Sequence, residues 1–579
     1  MISVFFSLLL ALPPTIAVSD IQPGATGECL TVFQGHKVEP MPFTVRGLMP
    51  NFLGPGQDVV VIRLNGEKAE FTGVVSGMSG SPCLINGRLV GALAYAFAQF
   101  AKEPIAGITP IASMHKIMQL PQESRPWRIS HNESMTDWRA LRHGDTPNKN
   151  SEVNNINSSM APIATPLSIS GFTPELLRHF SPWLEANGFM PMAAGSSSRL
   201  AKPYQLKPGS AVAAVLVRGD VEIAATGTVT SVEGKQVLAF GHPFFGAGAV
   251  SLPMANAEII NTMASTMRSF KMSTTGAVIG EVTQDRLTGI GGYLGRQADM
   301  IKVNGQIITP GGNKPFSFEV ARDQGLSPRL MAMALANCFA GRIEASRRGI
   351  LKLNANIAIA GHESLAINDI YSSEHDMNLM VYPAIDVAQA FDLIWNSPFN
   401  KPPKISLNVQ AEFVTDPVEE SVESIHLDRS FIRPGDQLKV IVRLYKKGSG
   451  ISQELFEITI PNNWANEEIE IIAAGATEVN RVLTKLAGDA KPENLSDIIK
   501  GLSQRRADGN LYLLVTRAGA GLHSRVDMLP FLPPSIVATM SGAQKINRRD
   551  RGLAWEDKRA RLGTVSGIAQ VKIEIQDRK

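Results

Sequence analysis

A serine enclosed by glycines has the clearest chemical potential in this chain. Ser79 lies in the run GMSGSP, between Gly77 and Gly80. Glycine permits backbone conformations that other residues avoid, so neighbouring N–H groups can converge on one point. A serine nucleophile beside an oxyanion hole requires such a turn. The same composition also suits an ordinary β-turn between strands, so both interpretations stay open at this stage.

The second feature is His242, in the run GHP directly after the strand-like segment Val237–Phe240. A histidine at the end of a strand and next to glycine is held in place and is expected to be reachable. Histidine is the side chain best suited to take a serine proton near neutral pH. A lone histidine of this kind is more often structural, so it is the presence of Ser79 that favours a general base.

The first 19 residues are typical of an export signal. Val4–Leu12 forms a short apolar run, and Ala17–Ser19 offers small residues for cleavage, although no Lys or Arg precedes the run. About nine apolar residues are too few to span a bilayer. The sequence therefore predicts an exported protein, periplasmic or extracellular, with no transmembrane span in its mature form.

The remaining elements indicate a mainly β protein of several domains, as expected for 579 residues. Short alternating runs bounded by glycine and proline are typical of strands. A polar, Asn- and Ser-rich stretch predicts a linker. The last alternating strands resemble an immunoglobulin-like sandwich. The predicted segments are residues 1–19 (signal peptide), 20–118 (serine-bearing β-barrel half), 119–165 (linker), 166–413 (histidine-bearing half with helices) and 414–579 (C-terminal sandwich-like region).

Cysteine content and charge narrow the chemistry further. The chain has three cysteines, and Cys29 and Cys83 are the pair expected to form a disulfide in an oxidising compartment, which leaves Cys338 free. No Cys or His pairs have zinc-ligand spacing, so neither a metal nor a cofactor is expected. A net charge of +3 gives no reason to expect nucleic-acid binding.

Residues 42–118 resemble the C-terminal part of the SpoIVB-type peptidase domain, family 55 of the serine peptidases. The resemblance rests on FTGVVSGMSGSP (71–82), on INGRLVGA (85–92) and on GITPI (107–111). A second stretch, from Gly227–Thr230 through Gly241 and His242, resembles the N-terminal part of the same domain. The serine segment comes first here and last in the family, so the arrangement is permuted or split.

The resemblance implies a chymotrypsin-like double β-barrel with Ser79 as nucleophile and His242 as general base. By analogy, the amides of Gly77 and Ser79 would bind the oxyanion. The family's acid matches Leu64 in this sequence, so the resemblance supplies no carboxylate. Asp220 and Asp285 are the candidates from the histidine-bearing half.

The expected function is that of an exported serine endopeptidase acting on a protein or peptide substrate. Its C-terminal region would bind a partner in the cell envelope. The alternative is a catalytically inactive envelope scaffold or binding protein on the same fold. The missing family acid favours that alternative, and the retained Ser79 and His242 oppose it.

Overall fold

The mainly β expectation is confirmed, with 50% strand and 20% helix in the computed structural model. The structure forms two compact units, residues 1–301 with 318–337 and residues 302–317 with 338–579. It describes residues 14–97, 102–121, 138–146, 160–195, 203–343, 349–373, 376–399, 402–446, 448–487, 492–524, 527–541 and 546–576.

A closed six-stranded barrel carries the serine loop in the first unit. Its strands follow the order β4-β1-β2-β3-β6-β5, and β5 pairs back with β4 to complete the ring. Alternate residues point inward, so Phe43, Ile62 and Leu64 are buried in one core. The elements are β1 (Thr26–Val32), β2 (Val38–Met49), β3 (Val59–Leu64), α1 (Glu67–Thr72), β4 (Pro82–Ile85), β5 (Arg88–Ala96), β6 (Ile105–Pro110) and α2 (Ile111–His115).

Part of the predicted signal segment packs on this barrel. Ile16 N donates to Leu89 O at 3.1 Å, and Leu89 N donates to Pro14 O at 2.8 Å. Ile16 and Val18 also pack against the barrel core. Residues 1–13, which hold the apolar run, lie outside the described residues. The contacts of residues 14–18 therefore belong to the folded unit, whereas export stays a prediction.

The predicted linker falls largely on residues outside the described ranges. Residues 138–143 within it are helical, and Trp138 and Leu141 are buried. Burial of these two apolar side chains stabilises the short helical stretch against the first unit. The polar average composition of the segment gives no indication of it. Its C-terminal end pairs with the barrel through β7 (Ala161–Pro162), because Pro162 lies opposite Tyr95.

The histidine lies in the second sheet of the first unit. The order β10-β13-β14-β15-β12-β11 returns on itself because β10 also pairs with β11, and β8 and β9 continue outward from β11. The elements are β8 (Thr165–Ser170), α3 (Pro174–Ala186), β9 (Phe189–Ala193), β10 (Ala211–Gly219), β11 (Glu222–Glu233), β12 (Gln236–Ala239), β13 (Gly248–Met263), β14 (Phe270–Arg286), β15 (Gly289–Leu294) and α4 (Ser327–Ala340). β16 (Met300–Thr309) belongs almost entirely to the second unit, and β17 (Gly312–Ala321) is divided between the two units.

The second unit contains a sheet with a long helix, followed by two sheets that share one apolar core. β16 pairs in parallel with β20, and β20 pairs with β18. The predicted boundary at residue 413 falls inside β20, because ladder hydrogen bonds hold this strand to its end. The elements are β18 (Gly349–Ile359), β19 (Leu365–Ser373), α5 (Asp376–Trp395), β20 (Ile405–Thr415), β21 (Glu419–Leu427), β22 (Gln437–Lys446), β23 (Gly450–Thr459), β24 (Glu468–Ala474), α6 (Ala476–Ala487), α7 (Leu495–Ser503), β25 (Asn510–Ser524), β26 (Asp527–Leu529), α8 (Pro534–Ser541), β27 (Ile546–Ala560), β28 (Thr564–Ser566) and β29 (Ile568–Glu574).

Candidate active site

The serine loop depends on two glycines in the left-handed region of backbone space. Gly77 and Gly80 both have φ of 96°. A Cβ on Gly80 would lie 1.9 Å from Thr228 O and 2.4 Å from Phe240 N. Only glycine fits that position, both for its φ and for the close backbone approach. The glycines that mark the motif in the sequence thus bring the serine loop against the histidine-bearing sheet.

The backbone N–H groups of this loop alternate between bonded and open. Four of them donate to backbone carbonyls, those of Ser76, Met78, Gly80 and Ser81. Within the described part of the chain, the N–H groups of Gly77 and Ser79 donate to nothing. Most backbone N–H groups that are shielded from water have a partner. These two open donors are the pair expected to bind an oxyanion.

Two threonines of β11 hold the loop in place. Thr228 N donates to Ser79 O at 2.8 Å, and Thr228 Oγ1 donates to Gly77 O at 3.0 Å. Thr230 Oγ1 donates to Gly80 O at 2.7 Å. These bonds hold the loop by three of its carbonyls and do not involve the open N–H groups of Gly77 and Ser79.

The histidine turn meets the same threonine. Phe240 N donates to Thr228 O at 3.3 Å, and Phe240 itself has φ of 68°, which is unusual for a residue with a side chain. Gly241 follows with φ of 70°, and its carbonyl accepts from Thr109 Oγ1 at 2.6 Å. Ser79 and His242, distant in sequence, are therefore positioned by loops that share Thr228 as a neighbour.

The imidazole of His242 is held in one tautomer. Nδ1 lies 2.8 Å from Pro243 O, and because a carbonyl oxygen only accepts, Nδ1 carries the hydrogen. Nε2 is left with its lone pair and has no hydrogen-bond partner among the described groups. Burial lowers the pKa of His242 to about 4. The ring is therefore neutral at pH 7, with the nitrogen that a general base uses unoccupied.

Ser79 Oγ has no hydrogen-bond partner either within the described residues, so the hydroxyl is not bonded to Nε2. Ser79 is 0% exposed and His242 is 2% exposed. The expectation that His242 is reachable is therefore wrong for this conformation. The reason is the packing of β11 and of the Phe240 turn directly against the serine loop, which a local sequence pattern does not report.

Asp285 lies beneath the loop that follows His242, at the end of β14. Its carboxylate accepts from Phe244 N and Phe245 N, each at 2.7 Å, and from Ala247 N at 3.2 Å. Burial raises the pKa of Asp285, and the three N–H donors act against that rise. Asp285 thus orients the loop and not the ring, whose Nδ1 is taken by a carbonyl.

The other predicted acid positions do not supply a carboxylate to the ring nitrogen either. Asp220 is exposed in the hairpin between β10 and β11. Leu64, at the position of the family's acid, is buried in the barrel core. The Nδ1–H group therefore donates its hydrogen bond to the Pro243 carbonyl. This carbonyl fixes the tautomer but, unlike a carboxylate, carries no full negative charge.

Lys271 is a site residue that the sequence does not reveal. It lies on β14, is fully buried, and its Nζ donates to Thr31 Oγ1 at 2.8 Å. Its backbone N–H donates to Ser76 O, and its side chain lies 3.3 Å from where a Cβ of Gly77 would be. Burial lowers the pKa of Lys271 to about 7. An alternating strand pattern would place this lysine outside, so no sequence signal identifies it.

A disulfide lies next to the loop. Cys29 on β1 and Cys83 on β4 face each other in the register of those strands and are bonded, and Cys338 is buried and not in a disulfide. Cys83 comes four residues after Ser79 in the chain. The bond thereby ties the strand that leaves the serine loop to the neighbouring strand β1 of the barrel.

Comparison with protein families confirms the resemblance for the serine-bearing segment. The family model described as SpoIVB peptidase S55 matches residues 12–109, which include Ser79 and most of the N-terminal barrel. The match does not extend to His242. This part of the chain is thus similar to a family of serine peptidases, which act on protein substrates.

Two further comparisons gave no relatives. No curated protein and no solved structure matches the chain. Among the helices that the structure describes, none has both the length and the apolar character needed to cross a bilayer.

Proposed function

We propose that this protein is an exported serine endopeptidase whose nucleophile is Ser79 and whose general base is His242. The observation that carries the proposal is the pair of open N–H groups, on Gly77 and Ser79, next to a buried hydroxyl in a family-matched loop. Three features that acyl transfer needs occur together: a nucleophile, a neutral imidazole with a free Nε2, and paired donors.

Each of these residues has a separate role in the proposed reaction. Ser79 Oγ attacks the peptide carbonyl while His242 Nε2 takes its proton. The Gly77 and Ser79 amides bind the oxyanion that forms, and His242 then donates the proton to the leaving amine. Water hydrolyses the acyl-enzyme with His242 again as base. Pro243 O keeps the hydrogen on Nδ1 throughout.

The low pKa of His242 and its burial indicate a resting conformation. Because Ser79 and His242 are covered, substrate binding requires the loops around them to separate. Entry of water and substrate would raise the pKa of the imidazole toward its ordinary value, since desolvation is the main cause of its fall. Such a peptidase has low basal activity and is stimulated by whatever opens the site.

A permuted double barrel is the architecture that goes with this function. Strands β10 to β15 pair in a closed ring, which supports a second barrel in addition to the family-matched one. The two sheets with a shared core in the second unit support an immunoglobulin-like region that binds an envelope partner.

The direct test is labelling with a fluorophosphonate, which reacts only with an activated serine. We expect the purified full chain to be labelled and Ser79→Ala to remain unlabelled. Ser452→Ala is the matched control, because Ser452 Oγ is also buried without a partner but lies in a strand of the second unit, outside any glycine loop. A folded wild-type chain that resists labelling and cleaves no peptide, both at rest and with the site loosened by low denaturant, would exclude the peptidase.

An inactive scaffold is the second candidate, and two observations favour it. Ser79 and His242 are sealed from solvent, and a carbonyl stands where triads have a carboxylate. The scaffold predicts that Ser79→Ala retains every binding function of the wild type and that no condition produces labelling. The peptidase predicts labelling that rises when the site is loosened, for example by low concentrations of denaturant.

A further inference from the structure

A cavity of about 380 Å³ lies on the first unit, away from any residue assigned above. Its walls come from the end of α2, from the 3-10 turn Lys116–Gln119 and from the β11–β12 hairpin. These elements belong to one closely packed part of the unit, because Leu238 of β12 shares an apolar cluster with Met114 and Ile117. The cavity is large enough for one amino-acid side chain or a small metabolite.

The walls are amphipathic in a specific way. Met118 and Leu238 supply apolar surface, and Gln119, Gln236 and Ser231 supply neutral hydrogen-bonding groups. The ionisable groups among the lining residues are His115 and Glu233. An elongated ligand with an apolar stem and a polar end matches this distribution better than a wholly polar or wholly apolar one.

Glu233 determines the charge of that polar end. Its Oε1 lies 3.0 Å from His115 Nε2, which is an ion pair only when the imidazole is protonated, and the angle is not that of a hydrogen bond. Within the described residues, no group donates a hydrogen bond to the Glu233 carboxylate. A carboxylate at a cavity wall whose ion-pair partner is charged only when protonated favours a cation and repels an anion.

We propose that this cavity binds an ammonium or guanidinium group carried on an aliphatic stem, with Glu233 as its counter-ion. Met118 and Leu238 contact the stem, and the amides of Gln119 and Gln236 accept the remaining N–H hydrogens. The ligand is either an arginine or lysine side chain of a polypeptide or a free alkylamine of the same chemistry.

The cavity and the candidate active site share one hairpin. Ser231 and Leu238 are cross-strand neighbours in the β11–β12 pair, and the same two strands lead to Thr230 and to His242. An occupant would therefore brace the hairpin whose other end holds the serine loop. The binding proposal itself does not depend on Ser79 being a nucleophile, since it concerns different side chains.

Titration calorimetry on the full chain tests the proposal with three probes: agmatine, Nα-acetylarginine amide and Nα-acetylnorleucine amide. We expect at least one of the two cationic probes to bind and the norleucine probe not to bind. Glu233→Gln should weaken the cation at least tenfold. Glu258→Gln should leave it unchanged, because Glu258 also lies near a histidine, His36 at 3.9 Å, but lines no part of this cavity.

The outcomes separate the possibilities. Binding of agmatine alone identifies a free amine, and binding of the capped arginine identifies a polypeptide side chain; both support the cationic site. Equal binding of norleucine, failure of both cationic probes, or unchanged affinity in folded Glu233→Gln overturns it. Fluorophosphonate labelling of Ser79 is a separate measurement, so failure here and failure of the proposed peptidase remain distinguishable.

Discussion

The two units differ in where their unpaired polar atoms lie. In the second unit, Arg561 makes a two-pronged pair with the buried Glu420, and Arg506 makes another with Glu556. Its polar atoms without a hydrogen-bond partner within the described residues lie on three different strands: Arg443 Nε, Ser452 Oγ and Arg517 Nε. In the first unit, Ser79 Oγ and His242 Nε2 are buried without hydrogen-bond partners within the described residues.

That contrast separates polar groups that stabilise the fold from polar groups that could take part in a reaction. A bidentate arginine–carboxylate pair satisfies both partners and fixes a geometry, and it needs no further explanation. A buried donor or acceptor left open costs free energy that a purely structural region would avoid. Ser79 and His242 differ from Ser452 because their two loops both contact Thr228, which groups the two atoms that the proposed reaction would use.

The largest expected effect is on turnover. Changing His242 to Ala should reduce any peptidase activity by about 10³-fold or more, because nucleophile and base act as a unit. The acid limb of the kcat/KM profile should lie below pH 6.5 in the wild type, since burial lowers the pKa of His242 to about 4. His426→Ala, in an exposed part of β21, is the control and should keep full activity. An acid limb at or above pH 6.5 would mean that water already reaches the imidazole in the free enzyme.

The next largest effect is on folding of the serine loop. Changing Gly80 to Ala forces a Cβ to within 1.9 Å of Thr228 O and should lower the free energy of unfolding by about 3 kcal/mol or more. Gly47→Ala is the matched control, because Gly47 has open space around its Cα and does not have a positive φ. Thermal unfolding measures both. Similar melting temperatures for the two variants would contradict the close approach of the two sheets.

These sites also show which parts of the candidate site can be predicted from the sequence alone. Ser79 and its flanking glycines were predictable because a tight turn needs those residue types in a contiguous run. His242 was predictable only with Ser79 in view, and its hydrogen-bond partner was not, because a main-chain carbonyl leaves no trace in residue identity. Lys271 and the burial of Ser79 depend on how strands from distant segments pack, which no local pattern contains. The β-rich class needed only the alternation along strands.

A further prediction reverses the usual sign of a core substitution. The pKa of Lys271 falls to about 7 in the folded protein from about 10.4 in an unfolded chain. The free energy of unfolding therefore decreases as the pH falls from about 10 to 7, because the unfolded chain binds the proton more tightly. Lys271→Met should stabilise the protein by about 3 kcal/mol at pH 7, since each pKa unit is worth about 1.4 kcal/mol and the Thr31 bond is lost.

The control for Lys271 is Lys235→Met, at an exposed turn between β11 and β12. Chemical denaturation at pH 7 and at pH 10 gives the comparison. The gain for Lys271→Met should shrink at pH 10, where the wild-type lysine is neutral in the folded state. A gain that does not change with pH would show that burial does not lower the pKa of Lys271. A loss at both pH values would show that Lys271 is stabilised by contacts beyond the Thr31 bond.

The smallest effect tests whether the second unit has an exception to its paired charges. Asp508 lies near Asp369 and Asp386, and desolvation followed by the charge of Asp369 raises the pKa of Asp508 to about 7. An acid whose pKa is higher when folded stabilises fully below about pH 4 and loses that contribution as the pH rises through 7. Asp508→Asn should therefore stabilise the protein by about 1–2 kcal/mol at pH 8, less than the pKa rise alone implies because Asp508 is partly exposed and solvent screens the charges, and by nearly nothing at pH 4. Asp416→Asn, exposed at a positive φ that Asn tolerates, is the control. Denaturation curves that shift equally at both pH values would mean that the charge of Asp369 does not raise the pKa of Asp508.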